Sequence, residues 1–276
     1  MKKIISLALI CFISASLIAG CGSNDTQVEN NTRTPATPRE NVEAPATPNV
    51  PDVPEPVFKN NNGISEEQIS WLNGTFAILT VANGGDLNTF GGFEPSARLE
   101  REWKSTLDAW WGIDNKGELL SVIDELTVGL HNPGFLEEAE YYEITSMTEE
   151  EFINELQYIE DEEDILYFLT LFSAYYFYGE DAIMGWDLSR AVQLCAQGFL
   201  AGYLDFEEAL EKAASIGKII QRTFDSWEDF WDSYFYGYFY WSEDVDGLEQ
   251  RIEIHEELAE KANSPLNLDW LLDLNY

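Results

Sequence analysis

Between Ser226 and Trp241 the chain repeats large rings with a helical period: Trp227, Phe230, Trp231, Tyr234, Phe235, Tyr238 and Trp241 stand at i, i+3, i+4, i+7, i+8, i+11 and i+14. Only a helix puts those positions on one side, and that many aromatic side chains need a core to cover them. The same period recurs upstream. Leu188, Ala191, Val192, Cys195 and Phe199 form a stripe, while Trp186 and Leu194 lie off it, so this helix should be buried on more than one side.

Helix starts are written into the sequence. Ser65 with Gln68, and Thr148 with Glu151, have capping-box spacing, and Asp205 with Glu208 caps in the same way; in each the side chain can accept from the third helical amide. The first helix carries Trp71, Leu72, Phe76, Leu79 and Val81 and is expected to run unbroken to Asn83-Gly84-Gly85. Ser96 opens a second through Leu99, Trp103, Leu107 and Trp110, and Leu119, Leu120, Ile123 and Leu126 mark a third ending near Gly129. Thr148 precedes Phe152, Leu156 and Ile159 inside the densest acidic segment, Glu137 to Asp164.

The nearly all-apolar run Ile165 to Tyr178 is too short for the about 20 residues a membrane span needs, so it reads as a buried core helix closed by Gly179. Phe206, Ala209, Leu210, Ala213, Ile216 and Ile220 follow Asp205, and Leu248 to Lys261 reads as a last, highly charged helix. No Asn-Gly hairpin and no sustained apolar-polar alternation occurs. The expected fold is all-α, a single multi-helix globular domain over residues 63–276.

The first 62 residues have a different composition. Met1-Lys2-Lys3, the apolar run Ile4 to Ile18 and the small residues Ala19-Gly20 before Cys21 have the build of a signal peptide, residues 1–20. Leu17-Ile18-Ala19-Gly20-Cys21 resembles the lipobox of bacterial lipoproteins, which implies a diacylglycerol on the Cys21 sulfur and cleavage ahead of it. Two or more acyl chains hold a protein stably on a bilayer. Residues 21–62 are rich in Thr, Pro and Asn, with seven of the ten prolines between Pro35 and Pro56. No core forms from such a segment; as an extended tether it can reach up to roughly 100 Å. The expected location is the outer face of a bacterial cell membrane, or facing the periplasm, through the anchor at Cys21.

The formal charge is −36, from 51 acidic and 15 basic residues, and cleavage after residue 20 would remove Lys2 and Lys3 and take it to −38. A surface so acidic repels phosphate backbones, which disfavours nucleic acid and leaves a basic protein surface as the partner it would attract. Of the three cysteines, Cys195 alone lies inside the domain, so processing leaves it without an intradomain partner.

The ordered set Trp111-Gly112-Ile113, His131-Asn132, Phe135, Trp186-Asp187-Leu188-Ser189-Arg190, Gly202-Tyr203, Glu208-Ala209, Phe224, Ser226-Trp227, Tyr234, Gly237 and Trp241 resembles the bacterial domain-of-unknown-function family 1266. The match runs from roughly Arg98 to Trp270. Tyr238 departs from it, standing where the family has Arg, as does the tail Ser264 to Trp270, with no Trp after Pro265 and no Pro before Trp270. The resemblance implies an uncharacterised helical domain and brings no activity with it.

Candidate chemistry centres on the Trp186-to-Arg190 motif. Asp187 and Arg190, three apart, can form a charge-assisted pair beside Trp186, which can stack on the guanidinium. Such a pair serves either as a structural tie or as the lining of a ligand site that also includes His131, the histidine of the Gly129-to-Gly134 turn. Ser242 to Gly247 with Glu253 mimics a calcium loop, but Ser242 replaces its first carboxylate and Glu249 stands where an aliphatic residue belongs. No zinc-ligand spacing, nucleophile elbow, Walker loop or dinucleotide loop is present, so no catalytic residue, metal ligand or cofactor is assigned.

The reading that follows is a membrane-anchored lipoprotein whose acidic, aromatic-rich helical domain binds a partner or ligand at the cell envelope. The alternatives are an enzyme of unknown reaction using Asp187, Arg190 and His131 in one pocket, and an inhibitor or immunity-type protein for a basic partner.

Overall fold

The computed structural model describes residues 64–275; the segments expected to be signal peptide and tether, with Cys21, and the terminal Tyr276 lie outside the described residues. Helices make up the described chain and no strand occurs in it. In order they are α1 (Glu66–Gly74), α2 (Ala77–Ala82), α3 (Ala97–Trp111), α4 (Lys116–Thr127), α5 (Asn132–Tyr141), α6 (Glu149–Leu156), α7 (Glu162–Tyr178), α8 (Met184–Leu200), α9 (Phe206–Thr223), α10 (Trp227–Ser242) and α11 (Val245–Glu260).

The organising element is α8. It packs against α9, α10 and α4, and 14 of its 17 residues are buried. Burial all round is what an apolar stripe with apolar residues beside it produces. Contact with α10 is close because both helices present glycine. A methyl at Gly185 would lie 2.5 Å from the Phe230 carbonyl oxygen, and one at Gly237 would lie 2.3 Å from the Trp186 Cβ. Larger side chains at either place would push the helices apart.

The caps at Ser65, Ser96, Thr148, Asp205 and Ser226 all form. Asp161, which caps α7 by accepting from Glu163 and Asp164, adds one that has no glutamate or glutamine at the capping-box position. The helix expected to run from Ser65 to Asn83 is instead two. Phe76 leaves the helical region at φ −132°, and the Thr75 carbonyl accepts from the Ser189 hydroxyl at 2.8 Å. A tertiary bond from α8 thus occupies an acceptor that an unbroken helix would have used.

Two further expectations change. The segment Ile165 to Tyr178 is only partly core: Thr170 to Ala174 are buried, while Tyr176 is 57% exposed. The turn around His131 opens a helix, α5, with His131 at its N-cap position and Pro133 in its first turn. The calcium-loop mimic is also a helix start, since Asp244 caps α11 through the Gly247 amide and accepts from the Tyr238 hydroxyl.

After α11 the tail returns to the core. Trp71, Trp227 and Trp270 meet with ring centroids 5.0–5.5 Å apart. The Trp227 indole donates to the Leu268 carbonyl and the Trp270 indole to the Phe224 carbonyl, both at 3.0 Å. Gln221 and Gln68 donate to further tail carbonyls, so these polar groups are satisfied where they are covered.

Candidate functional site

The first turn of α8 carries the motif, and each residue there has a different use. Asp187 is fully buried. One carboxylate oxygen accepts from the backbone amides of His131 and Asn132 at 2.9 and 3.1 Å, and the other accepts from His131 Nδ1 at 2.5 Å. The N-cap residue of α5 makes no side-chain cap of its own, so Asp187 supplies one from another helix. A carboxylate is well matched to that place, where unpaired amides and the helix dipole both favour negative charge.

The service is reciprocal. No residue of its own caps α8 either. Asn132 accepts from the Ile183 amide at 2.9 Å and donates to the Glu180 carbonyl at 2.7 Å. Ser233, buried within α10, accepts from the Gly185 amide at 2.9 Å and donates to the Ala182 carbonyl at 3.0 Å. Two helix starts therefore close each other, with α10 supplying the third contact.

Arg190 takes no part in this network. Among the described residues no carboxylate oxygen lies within 4.0 Å of its guanidinium, so the expected ion pair with Asp187 does not form. The reason is competition: Asp187 spends both oxygens on α5. The guanidinium carbon lies 4.2, 4.7 and 5.4 Å from the ring centres of Trp111, Trp186 and Trp241. Its Nη1 is buried without a hydrogen-bond partner, as is the Trp186 indole nitrogen. Burial pulls the Arg190 guanidinium down to about 10, and the attraction of the Asp187 charge offsets only part of that.

Of the four residues expected at a site, Asp187 and His131 come together, and Trp186 and Arg190 form a second, adjoining group. Trp111, Trp241, Asn132 and Ser233 complete these groups and were not read as site residues. Ser233 had a signal, a small polar residue inside an aromatic run, but its partner on α8 had none. A shallow depression lies further along α8, lined among others by Thr80, Trp103, Gln193 and Gln197, and none of the four expected residues lines it.

The remaining reactive groups are shielded. Burial pushes the Cys195 thiol up to about 12, and it donates to the Ala191 carbonyl. His255 packs on Trp231 and Phe235, where burial holds its ring down to about 4. Among the described residues no group of three or more His, Cys, Asp or Glu is arranged to hold a metal ion, and no helix is long and apolar enough to cross a membrane.

No curated protein and no solved structure matches the chain. A family model described as "Protein of unknown function (DUF1266)" matches residues 106–270, from the middle of α3 to the tail tryptophan. That interval holds both capping partners and all three tryptophans around Arg190, and as it covers more than half of the 276 residues, the chain belongs to the DUF1266 family.

Proposed function

We propose that the protein is a lipoprotein of the bacterial cell envelope, acylated on Cys21, whose helical domain binds a basic protein partner through its α5 to α7 flank. The observation that carries this reading is a charge distribution: residues 117–189 hold 19 Asp and Glu and no Lys or Arg. Among the described residues no Lys or Arg pairs with an acid between Glu137 and Asp164. Tyr141, Ile153, Tyr158 and Tyr176 are 57–76% exposed along the same helices and the turn between α6 and α7, which mixes rings with carboxylates as binding surfaces do. Charge of one sign on one flank speeds the encounter with a partner of the other sign.

The enzyme reading keeps one supporting observation, the His131 contact with Asp187. Against it, the Asp187 carboxylate also serves two backbone amides, and Arg190 stands apart from it among tryptophans.

Two measurements test the proposal. Metabolic labelling with radioactive palmitate should mark the wild type and not Cys21→Ser; equal labelling removes the anchor. Capture from envelope extracts should hold a basic protein at low salt and release it at high salt, and replacing Glu149, Glu150, Glu151 and Glu155 by Gln should weaken capture. Capture unchanged by salt and by those substitutions removes the acidic flank from the interface.

A further inference from the structure

Most of the motif is accounted for by structure, and Arg190 is the exception. Burying a guanidinium is expensive unless its charge and its donors are met. The chain has 51 carboxylate side chains, and among the described residues it places none within 4.0 Å of this one. It surrounds the group with Trp111, Trp186 and Trp241 instead, and leaves two donors, Arg190 Nη1 and Trp186 Nε1, buried and unpaired. Cation–π contact recovers part of the cost but satisfies no N–H. Trp241, which forms one side of the box, is 47% exposed.

We propose that the box formed by Arg190, Trp111, Trp186 and Trp241 is a binding site for a monocarboxylate with an aromatic body. The guanidinium fork matches the two oxygens of a carboxylate, whose acceptors would meet the unpaired donors. The exposed part of Trp241 offers apolar contact for the ring. The selectivity follows from the net charge. At −36, long-range repulsion acts about twice as strongly on a dianionic phosphate as on a singly charged carboxylate. This site needs neither the lipid anchor nor the acidic flank, so it stands or falls separately from them.

The test is calorimetric titration of the full chain with benzoate, and with inorganic phosphate for comparison. Benzoate should saturate at one site and raise Tm. Arg190→Met should weaken it by at least about tenfold while the variant stays folded, and Trp241→Ala, a change at an exposed ring, should weaken it several-fold. Phosphate should bind at least about tenfold more weakly than benzoate. Benzoate that fails to saturate, or that binds Arg190→Met or Trp241→Ala as tightly as the wild type, overturns the site. Phosphate that binds as well as benzoate overturns its ligand class. An Arg190→Met chain that cannot fold would place the guanidinium in the architecture and overturn the proposal too.

Discussion

Asp187 and Arg190 sit one helical turn apart on α8 and carry opposite charges, yet the fold treats them in opposite ways. Asp187 is fully buried and its carboxylate accepts three hydrogen bonds from α5. Arg190 keeps some surface, makes no ion pair among the described residues, and has a buried nitrogen without a partner. A buried charge with all its partners belongs to the architecture, because removing it strands every group that pointed at it. A charge whose donors are left over is one the architecture can do without. The same short motif thus contains a half whose polar groups are all met and a half that the fold packs among rings and leaves short of hydrogen-bond partners.

Removing Asp187 should have the largest effect. Asp187→Ala strands two backbone amides and the His131 ring, and stability in urea should fall by about 3–5 kcal/mol. A loss under about 1 kcal/mol would mean that water replaces the cap readily and would dissolve the contrast with Arg190. The helix packing that holds both residues in place comes next. Gly185→Ala sets a methyl against the Phe230 carbonyl, which cannot rotate away, and should cost about 2–3 kcal/mol in the same assay.

His255 offers a pH-dependent version of the contrast, since it too is a titratable group enclosed by rings, and the Glu228 charge offsets only part of the effect of burial. Its folded value of about 4 lies below the ordinary 6.5. Above pH 6.5 the ring is neutral in both states. Between 6.5 and 4 the unfolded chain takes up the proton first, so stability falls with pH, and the loss levels off below about 4. Its full size is roughly 3 kcal/mol, and wild type minus His255→Phe, measured by thermal unfolding across that window, should show it. Parallel pH profiles for the two proteins would show that the ring is hydrated in the folded state.

The smallest effect should be at Arg190. Arg190→Met should change stability by less than about 1 kcal/mol in either direction, because an uncompensated buried charge exchanged for an apolar chain of similar length loses cation–π contact and gains desolvation energy. A loss as large as that of Asp187→Ala would erase the distinction between the two halves.

Much of the architecture was legible in the residues. The period of the rings after Ser226, the capping pairs and the missing strand signals define helices because they act within a turn or two of chain, where spacing alone decides which groups meet. The burial of α8 on more than one side was equally readable, since apolar residues lie on more than one of its sides. The acidic segment from Glu137 to Asp164, too, is a property of the sequence that no fold can alter.

Only the tertiary structure decided where the polar groups went. Asp187 and Arg190 are neighbours on one helix, so local reasoning pairs them; α5 takes the carboxylate because helix starts present unpaired amides that a neutral partner would serve less well. Ser189 breaks the first helix from 114 residues away, and Ser233 closes α8 from 48. Bonds of such range leave no periodic trace in a sequence. The cap and the tryptophan box were therefore invisible until the helices were placed, although Trp186, Asp187, Arg190 and His131 stood out in the sequence.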